Sequence, residues 1–354
     1  MYDNFHLIYY NLLLLAVLIE CCFKYSIYNT FYISTNEKGE KLGPIILIVI
    51  LSIILGYRPG SVSFGDTSLY QYVYENRLYI YETEPVFNVF SKICSSLGVS
   101  TGIYLSIIAF LYILLPYLFI SKHTYSKWFS LLMILTSFSF LGYGVNGIRN
   151  GLALSLLTYS FVFINLDGKA QHIKLIICCL LAIGIHKSSM LPVCGIFLSI
   201  YIIKDVKSAI LIWVLSIPIS FIGGNSISPL FLNLGFDDRL DSYLTGIFKT
   251  GFRWDFILYS SVPIFFAYYI IYIRNIVVDR LYMILINTYT LSNAVWIIII
   301  NAAFSNRFAY LSWFLYPIVI AYPLLKYQIW DDDGNTIALV LFIYYLFTYL
   351  MSML

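Results

Sequence analysis

Apolar and polar positions alternate along this chain in long blocks. Apolar runs at 5–23, 43–57, 100–121, 128–144, 147–165, 256–273, 281–303, 308–325 and 336–353 are separated by short polar stretches. Each is near the roughly 20 residues that a helix needs to cross a bilayer. The stretch 174–203 is too long for one straight span and holds His186 and Lys187 in its middle, so it reads as two helices turning near 186–189. The run 208–223, with Pro218 inside it, is a further span. The pattern predicts an all-α polytopic membrane protein with about twelve transmembrane helices, a single integral domain over 1–354. The opening MYDNFHLIYY lacks the basic stretch of a cleavable signal, so the first run is expected to stay as an anchor.

Two connections are longer than the rest, 58–99 and 224–255. In 86–97, Val86, Phe90, Ile93 and Leu97 recur at helical spacing, with Asn88, Ser91, Lys92, Ser95 and Ser96 opposite. In 237–249, Leu240, Tyr243, Leu244, Ile247 and Phe248 do the same, with Asp237 or Asp238 as the cap. Both read as amphipathic helices lying on the outer membrane surface or packed on the bundle.

Composition agrees and narrows the function. Hydrophobic residues are 60% of the chain and charged residues 11%, where a soluble domain carries about 25% charged. So large an apolar excess needs lipid as its solvent. A net charge of +3, spread along the chain, excludes nucleic acid as a partner. The cysteines form no disulfide framework, the four histidines stand singly, and no metal-ligand spacing occurs, so neither metal nor cofactor is expected.

Placing the basic residues by this topology puts ten Lys and two Arg on one side and six Arg and three Lys on the other. The lysine-rich side lies in short loops and is expected to be cytoplasmic, which turns both termini outward. Lysine suffices as a topological anchor. Arginine is the choice where a planar fork of donors must hold an oxyanion, so the outer face is the expected place for an anion site.

Five polar clusters fall at that face. YRPGSVSFGDTSLY holds Arg58, Asp66 and Tyr70; ETEPVF holds Glu84 before Pro85; NGIRNG holds Asn146, Arg149 and Asn150 at the start of a span. IGIHKSSM holds His186, Lys187 and Ser188, and FSNRFAY holds Asn306, Arg307 and Tyr310 at the start of another span. An arginine in the first turn of a helix makes a good oxyanion site. Each cluster alone is also explained by snorkelling or by a hydrogen-bonded interior group; five at one depth call for more.

At these residues the chain resembles the EpsG-like branch of the Wzy-type polysaccharide polymerases. That branch also has an arginine followed by an aspartate and a tyrosine, a Glu-Pro pair, an Asn-x-x-Arg step, a His followed by small polar residues, and a late arginine. Here these match Arg58, Asp66, Tyr70, Glu84, Pro85, Asn146, Arg149, His186, Ser188 and Arg307, in order over most of the chain. Two departures are Asn150, where glutamine is frequent, and Lys187, where a small residue or proline is common. The resemblance implies a GT-C-like, metal-independent membrane glycosyltransferase in the bacterial inner membrane, acting on its periplasmic or exterior side. It would transfer a glycan from undecaprenyl pyrophosphate to another lipid-linked repeat unit, and a chain-length regulator protein is a candidate partner. Arg58, Arg149, Arg307 and Lys187 would hold the pyrophosphate, with Asn146, Tyr70 and Tyr310 in the binding set. Glu84, Asp66 and His186, in that order, are the acid–base candidates. Tyr70, Tyr72 and Tyr74 offer faces for sugar rings. Two other functions fit the same chain: an O-antigen ligase-like transferase of the same donor, and a polysaccharide flippase. A flippase calls for repeated halves and midplane polar groups, and neither is seen in the sequence.

Overall fold

Inside a bilayer no water satisfies a peptide group, so an apolar run closes its hydrogen bonds on itself as a helix. The computed structural model describes residues 4–25, 38–61, 64–81, 83–164, 168–233, 252–301, 306–331 and 333–353, and the described chain is helical without a strand. In order, α1 is Asn4–Ile19, continued by a π turn at Glu20–Tyr25; α2 is Lys38–Gly56, α3 Thr67–Glu75, α4 Pro85–Ser96 and α5 Thr101–His123. Then come α6 (Lys127–Leu135), α7 (Phe140–Val145), α8 (Ile148–Ser160), α9 (Lys169–Ile185) and α10 (Met190–Tyr201). The rest are α11 (Val206–Asn233), α12 (Trp254–Tyr268), α13 (Arg280–Ile298), α14 (Asn306–Trp313), α15 (Tyr316–Leu324) and α16 (Asp333–Met353).

Among the described residues, four helices are long and apolar enough to cross a membrane: Thr101–His123, Trp254–Ile273, Arg280–Ile298 and Asp333–Ser352. Shorter apolar helices cover Ile8–Cys22, Leu42–Gly56, Ile148–Phe163, Lys187–Tyr201 and Val206–Phe221. The stretch 174–203 breaks at 186–189, where the split was expected, and its limbs choose different neighbours: α9 packs on α8 and α4, α10 on α13.

Two of the expected single spans are broken. The run 128–144 divides into α6 and α7. The Thr136 hydroxyl donates back to the Leu132 carbonyl at 2.6 Å, Ser137 and Ser139 follow, and such side chains offer the backbone partners that compete with a helix. The Tyr112 hydroxyl of α5 meets the carbonyl of Phe140 at 2.8 Å, just past the break. The run 308–325 divides into α14 and α15, because Pro317 has no N–H to continue the ladder and suits only the first turn of a new helix.

The two long connections also differ in detail. The helix expected over 86–97 forms as α4, but turned about its axis, with Val86 and Phe90 only half-buried. Phe87, Ser91, Cys94 and Ser95 are buried, while Val89, Ile93 and Leu97 are exposed. Two hydroxyl pairs turn it. Ser91 Oγ lies 2.8 Å from the Tyr104 hydroxyl, and Ser95 Oγ lies 2.5 Å from the Tyr79 hydroxyl. α11 runs on to Asn233, into the segment 224–255. The helix expected over 237–249 lies outside the described residues, as do Arg239, Asp241 and Lys249.

α5 connects two ends of the bundle. Near its start, Tyr104 stacks on Tyr74 of α3 with centroids 3.9 Å apart. At its finish, roughly 28 Å away at 1.5 Å per residue, His123 meets Tyr322 of α15 at 5.9 Å. That second end gathers members of the lysine-rich set. Lys326 donates to Asp279 at 2.5 Å, and Asp279 also accepts from Tyr322 at 2.7 Å and caps α13 through the Tyr282 N–H at 2.8 Å. Arg274 donates to the Ile329 carbonyl at 2.7 Å. Between the ends, Asn293 of α13 accepts from Trp213 (2.7 Å) and donates to Ser260 (3.0 Å) and Ser312 (2.9 Å). This buried knot pins α14, which carries Arg307 and Tyr310, to α11, α12 and α13.

Candidate functional site

The first end of the bundle holds the polar residues. α2 ends at Gly56, whose missing side chain lets Ser106 of α5 approach: a Cβ there would sit 1.9 Å from Ser106 Oγ and 2.5 Å from its amide nitrogen. Two residues on, Arg58 is 2% exposed and is spent inside the protein. It donates to Thr67 Oγ1 at 2.9 Å, to the Leu55 carbonyl at 2.5 Å and to the Val145 carbonyl at 3.0 Å. Thr67 also donates toward the Val145 carbonyl (3.0 Å). Burial pulls the Arg58 guanidinium down to about 10, which still leaves it charged at neutral pH. Arg58 therefore fastens the start of the long connection 58–99 to the end of α7.

One residue beyond that end stands Asn146. Its Oδ1 accepts the Asp66 N–H at 2.9 Å, and its carbonyl accepts the Tyr70 hydroxyl at 3.1 Å. The approach needs Gly65, which has a φ of +53° and would place a Cβ 2.4 Å from Asn146 Oδ1. Asp66 is the residue before α3, yet its carboxylate makes no cap bond and has no hydrogen-bond partner among the described residues. It lies close enough for its charge to act on the phenols of Tyr70 and Tyr81.

Arg149, in the first turn of α8, is the centre of the group. Its Nη1 donates to Glu84 Oε2. Its guanidinium also lies 3.9 Å from the Tyr81 ring centroid and 6.0 Å from that of Tyr70. Its Nε is buried without a partner among the described residues, as are Asn150 Oδ1, Ser189 Oγ and the Tyr81 hydroxyl. Glu84 precedes Pro85, which opens α4 as proline suits a first helical turn, and its carbonyl accepts the Asn88 N–H at 3.1 Å. Its other carboxylate oxygen, Oε1, binds His186 Nδ1. His186 ends α9, and its Nε2 lies 2.9 Å from Ser188 Oγ.

The electrostatics follow from these contacts. Burial alone would raise the Glu84 carboxyl; the hydrogen bond and charge of His186 and the charge of Arg149 outweigh it and hold the carboxyl below its usual range. Burial raises the Tyr70 phenol and pushes that of Tyr81 up to about 12. An ionised carboxylate only accepts, so His186 Nδ1 must carry a proton.

Of the residues singled out in the sequence, Asp66, Tyr70, Glu84, Asn146, Arg149 and His186 stand in one connected group, and Arg58 supports it from beneath. Tyr310 joins through its ring, 5.3 Å from that of Tyr143, three residues before Asn146. Arg307 stands one turn before Tyr310 on α14, and Lys187 directly follows His186. Sequence reasoning missed Tyr81 beneath the guanidinium, Thr67 beside Arg58, and the bond from Ser188 to His186. Tyr81 carries no local signal, because the chain reaches it through a turn with positive φ at Arg77 and Tyr79. Among the described residues, no three His, Cys, Asp or Glu side chains gather as a metal site.

Such a group can grip a doubly charged oxyanion with an oriented guanidinium while an unpaired carboxylate stands by to take a proton. In comparison with known sequences, residues 41–354 fit the sequence model of the EpsG family. No curated protein and no solved structure matches.

Proposed function

The chain belongs to the EpsG family, and from that premise we propose that it is a Wzy-type membrane glycosyltransferase that polymerises undecaprenyl-pyrophosphate-linked repeat units at the outer leaflet. Family and apolar helices mark a membrane protein of polysaccharide biosynthesis. The observation that carries the finer reading is Arg149, oriented by Glu84 and the Tyr81 ring, in the same cluster as the Asp66 carboxylate; neither the Arg149 Nε nor that carboxylate has a hydrogen-bond partner among the described residues.

In this reading a hydroxyl oxygen of the acceptor sugar attacks the donor's anomeric carbon. The new C–O bond forms as the bond to the pyrophosphate oxygen breaks, and the leaving group carries the electron pair away as an anion. Arg149 neutralises that charge as it develops, with Arg307 and Lys187 supplying further positive charge at the rim, so the reaction needs no metal. Asp66 takes the hydroxyl proton. It is favoured over Glu84 as base because both oxygens of Glu84 are already engaged and its carboxyl is held acidic. The bundle is read as about twelve spans in a GT-C-like arrangement, with this end facing outward from a bacterial inner membrane.

The test is the length of lipid-linked glycan made in cells carrying single substitutions. Arg149→Lys should be nearly as damaging as Arg149→Ala, because an ammonium keeps the charge and loses the fork. Each should cost about 2–4 kcal/mol of transition-state stabilisation, or about 30- to 1000-fold in rate. Asp66→Asn should stop chain growth at single units. Polymer of wild-type length from Arg149→Ala would end the proposal, and the same result from Asp66→Asn would return the base to Glu84 or His186.

A further inference from the structure

The bond between Arg149 and Glu84 is single, and that is unusual for such a pair. A carboxylate facing a guanidinium tends to close into a two-pronged fork, each oxygen taking one N–H. Here Glu84 gives Arg149 only Oε2, while Oε1 is held by His186 Nδ1. The ring cannot turn away easily, because its far nitrogen, Nε2, is tied to Ser188 Oγ at 2.9 Å. With Nδ1 protonated toward Glu84, the Ser188 hydroxyl holds the other nitrogen in either state of the ring, donating to Nε2 when the ring is neutral and accepting from it when both nitrogens are protonated. The residues stand in a row: Ser188, His186, Glu84, Arg149. Ser188 is 7% exposed and sits in the short helical turn Lys187–Ser189 between α9 and α10, a rigid place from which to hold the row. At the far end, the Nε of Arg149 is left without a partner among the described residues.

We propose that Ser188 and His186 are positioning residues that restrain one oxygen of Glu84, so that Arg149 keeps a free N–H edge for a phosphate or pyrophosphate group. Neither touches the ligand. They act by denying Glu84 the second prong. This deepens the reading above, since it rests on Arg149 as the oxyanion holder. It differs in what it asks of His186: to stay bonded to Glu84 rather than to move a proton to or from a sugar.

The test is binding of inorganic pyrophosphate to the full-length protein in lipid nanodiscs, which needs no glycan substrate. Wild type should bind. Ser188→Ala should weaken binding about 3- to 10-fold, the worth of one hydrogen bond, and Ser188→Thr, which keeps the hydroxyl, should restore it. His186→Ala should weaken binding further. The decisive arm is the double substitution. With Glu84→Ala there is no carboxylate left to restrain, so adding Ser188→Ala or His186→Ala should change nothing more. Independent, additive losses in the Glu84→Ala background would overturn the inference, as would wild-type binding by Ser188→Ala or no pyrophosphate binding by the wild type. Pyrophosphate binding with the expected pattern, in a protein that transfers no glycan, would sink the polymerase reading and leave this one standing.

Discussion

Arginine plays two parts in this protein, and burial with partners separates them. Arg58 has three nitrogens committed to interior acceptors. Its loss would take the side-chain donor from the buried Leu55 carbonyl and one of the two donors from the Val145 carbonyl, so Arg58→Ala should cost about 2–4 kcal/mol of stability. The thermal melting midpoint in detergent should fall accordingly, and an unchanged midpoint would refute the strut. Arg149 turns its charge toward Glu84 and keeps one N–H in hand. The pair has a pH signature. Since the Glu84 carboxyl is lowered in the folded protein, its contribution to stability is full above its unfolded value, about 4.3, and is lost as pH falls through the folded one. The melting midpoint should therefore hold from neutral pH to about 5 and fall below that. Glu84→Gln should flatten the acid fall, and an acid limb identical to wild type would mean that Glu84 does not contribute it.

Among the elements, the contact of α2 with α5 is a place where backbone meets backbone, and it stands directly before Arg58. Small residues let helices in lipid approach this closely. Gly56→Leu has nowhere to put its side chain against Ser106, so it should force the two helices apart and destabilise by about 1–3 kcal/mol. Thermal melting and the yield of monodisperse protein would show it, and a wild-type midpoint would contradict the packing. Elements were also where the sequence was hardest to read. Apolar runs located helices well, because in lipid no other described form closes the backbone bonds. They did not show the breaks after Leu135 and after Trp313, where hydroxyls and a proline decide and composition stays apolar. Nor did periodicity orient α4. Its buried stripe carries Ser91 and Ser95, bonded to tyrosines from distant positions, while Ile93 and Leu97 face out, so the more apolar face is not the inner one. The site was legible as a set of residue types at helix starts. Its wiring was not, because Glu84 finds His186 across 102 residues of chain and no local pattern encodes that meeting.

For the molecule as a whole, the charge pattern and the fold agree on two ends, one gathered around Arg149 and one around Asp279 and Lys326. If the first faces outward, single cysteines at Asp66 or Arg149, or at Asp241, should react with an impermeant reagent on intact cells. Cysteines at Lys169 or Lys326 should react only after permeabilisation. The reverse pattern would invert the molecule and move the site to the cytoplasm. The strut at Arg58 and the row at Glu84 share a further consequence, which concerns time. Their partners are distant in sequence: Val145 lies 87 residues beyond Arg58 and His186 lies 102 beyond Glu84. At about 5–20 residues per second of synthesis, roughly 4–20 s separate the appearance of each side chain from that of its mate. For that interval the early helices must wait in the membrane with Arg58 short of one acceptor and Glu84 short of one donor, so the cluster around Arg149 is completed late, after α9 has been made. A nascent chain stalled before Ser188 would carry Arg149 and Glu84 and still lack the restraint that keeps them one bond apart.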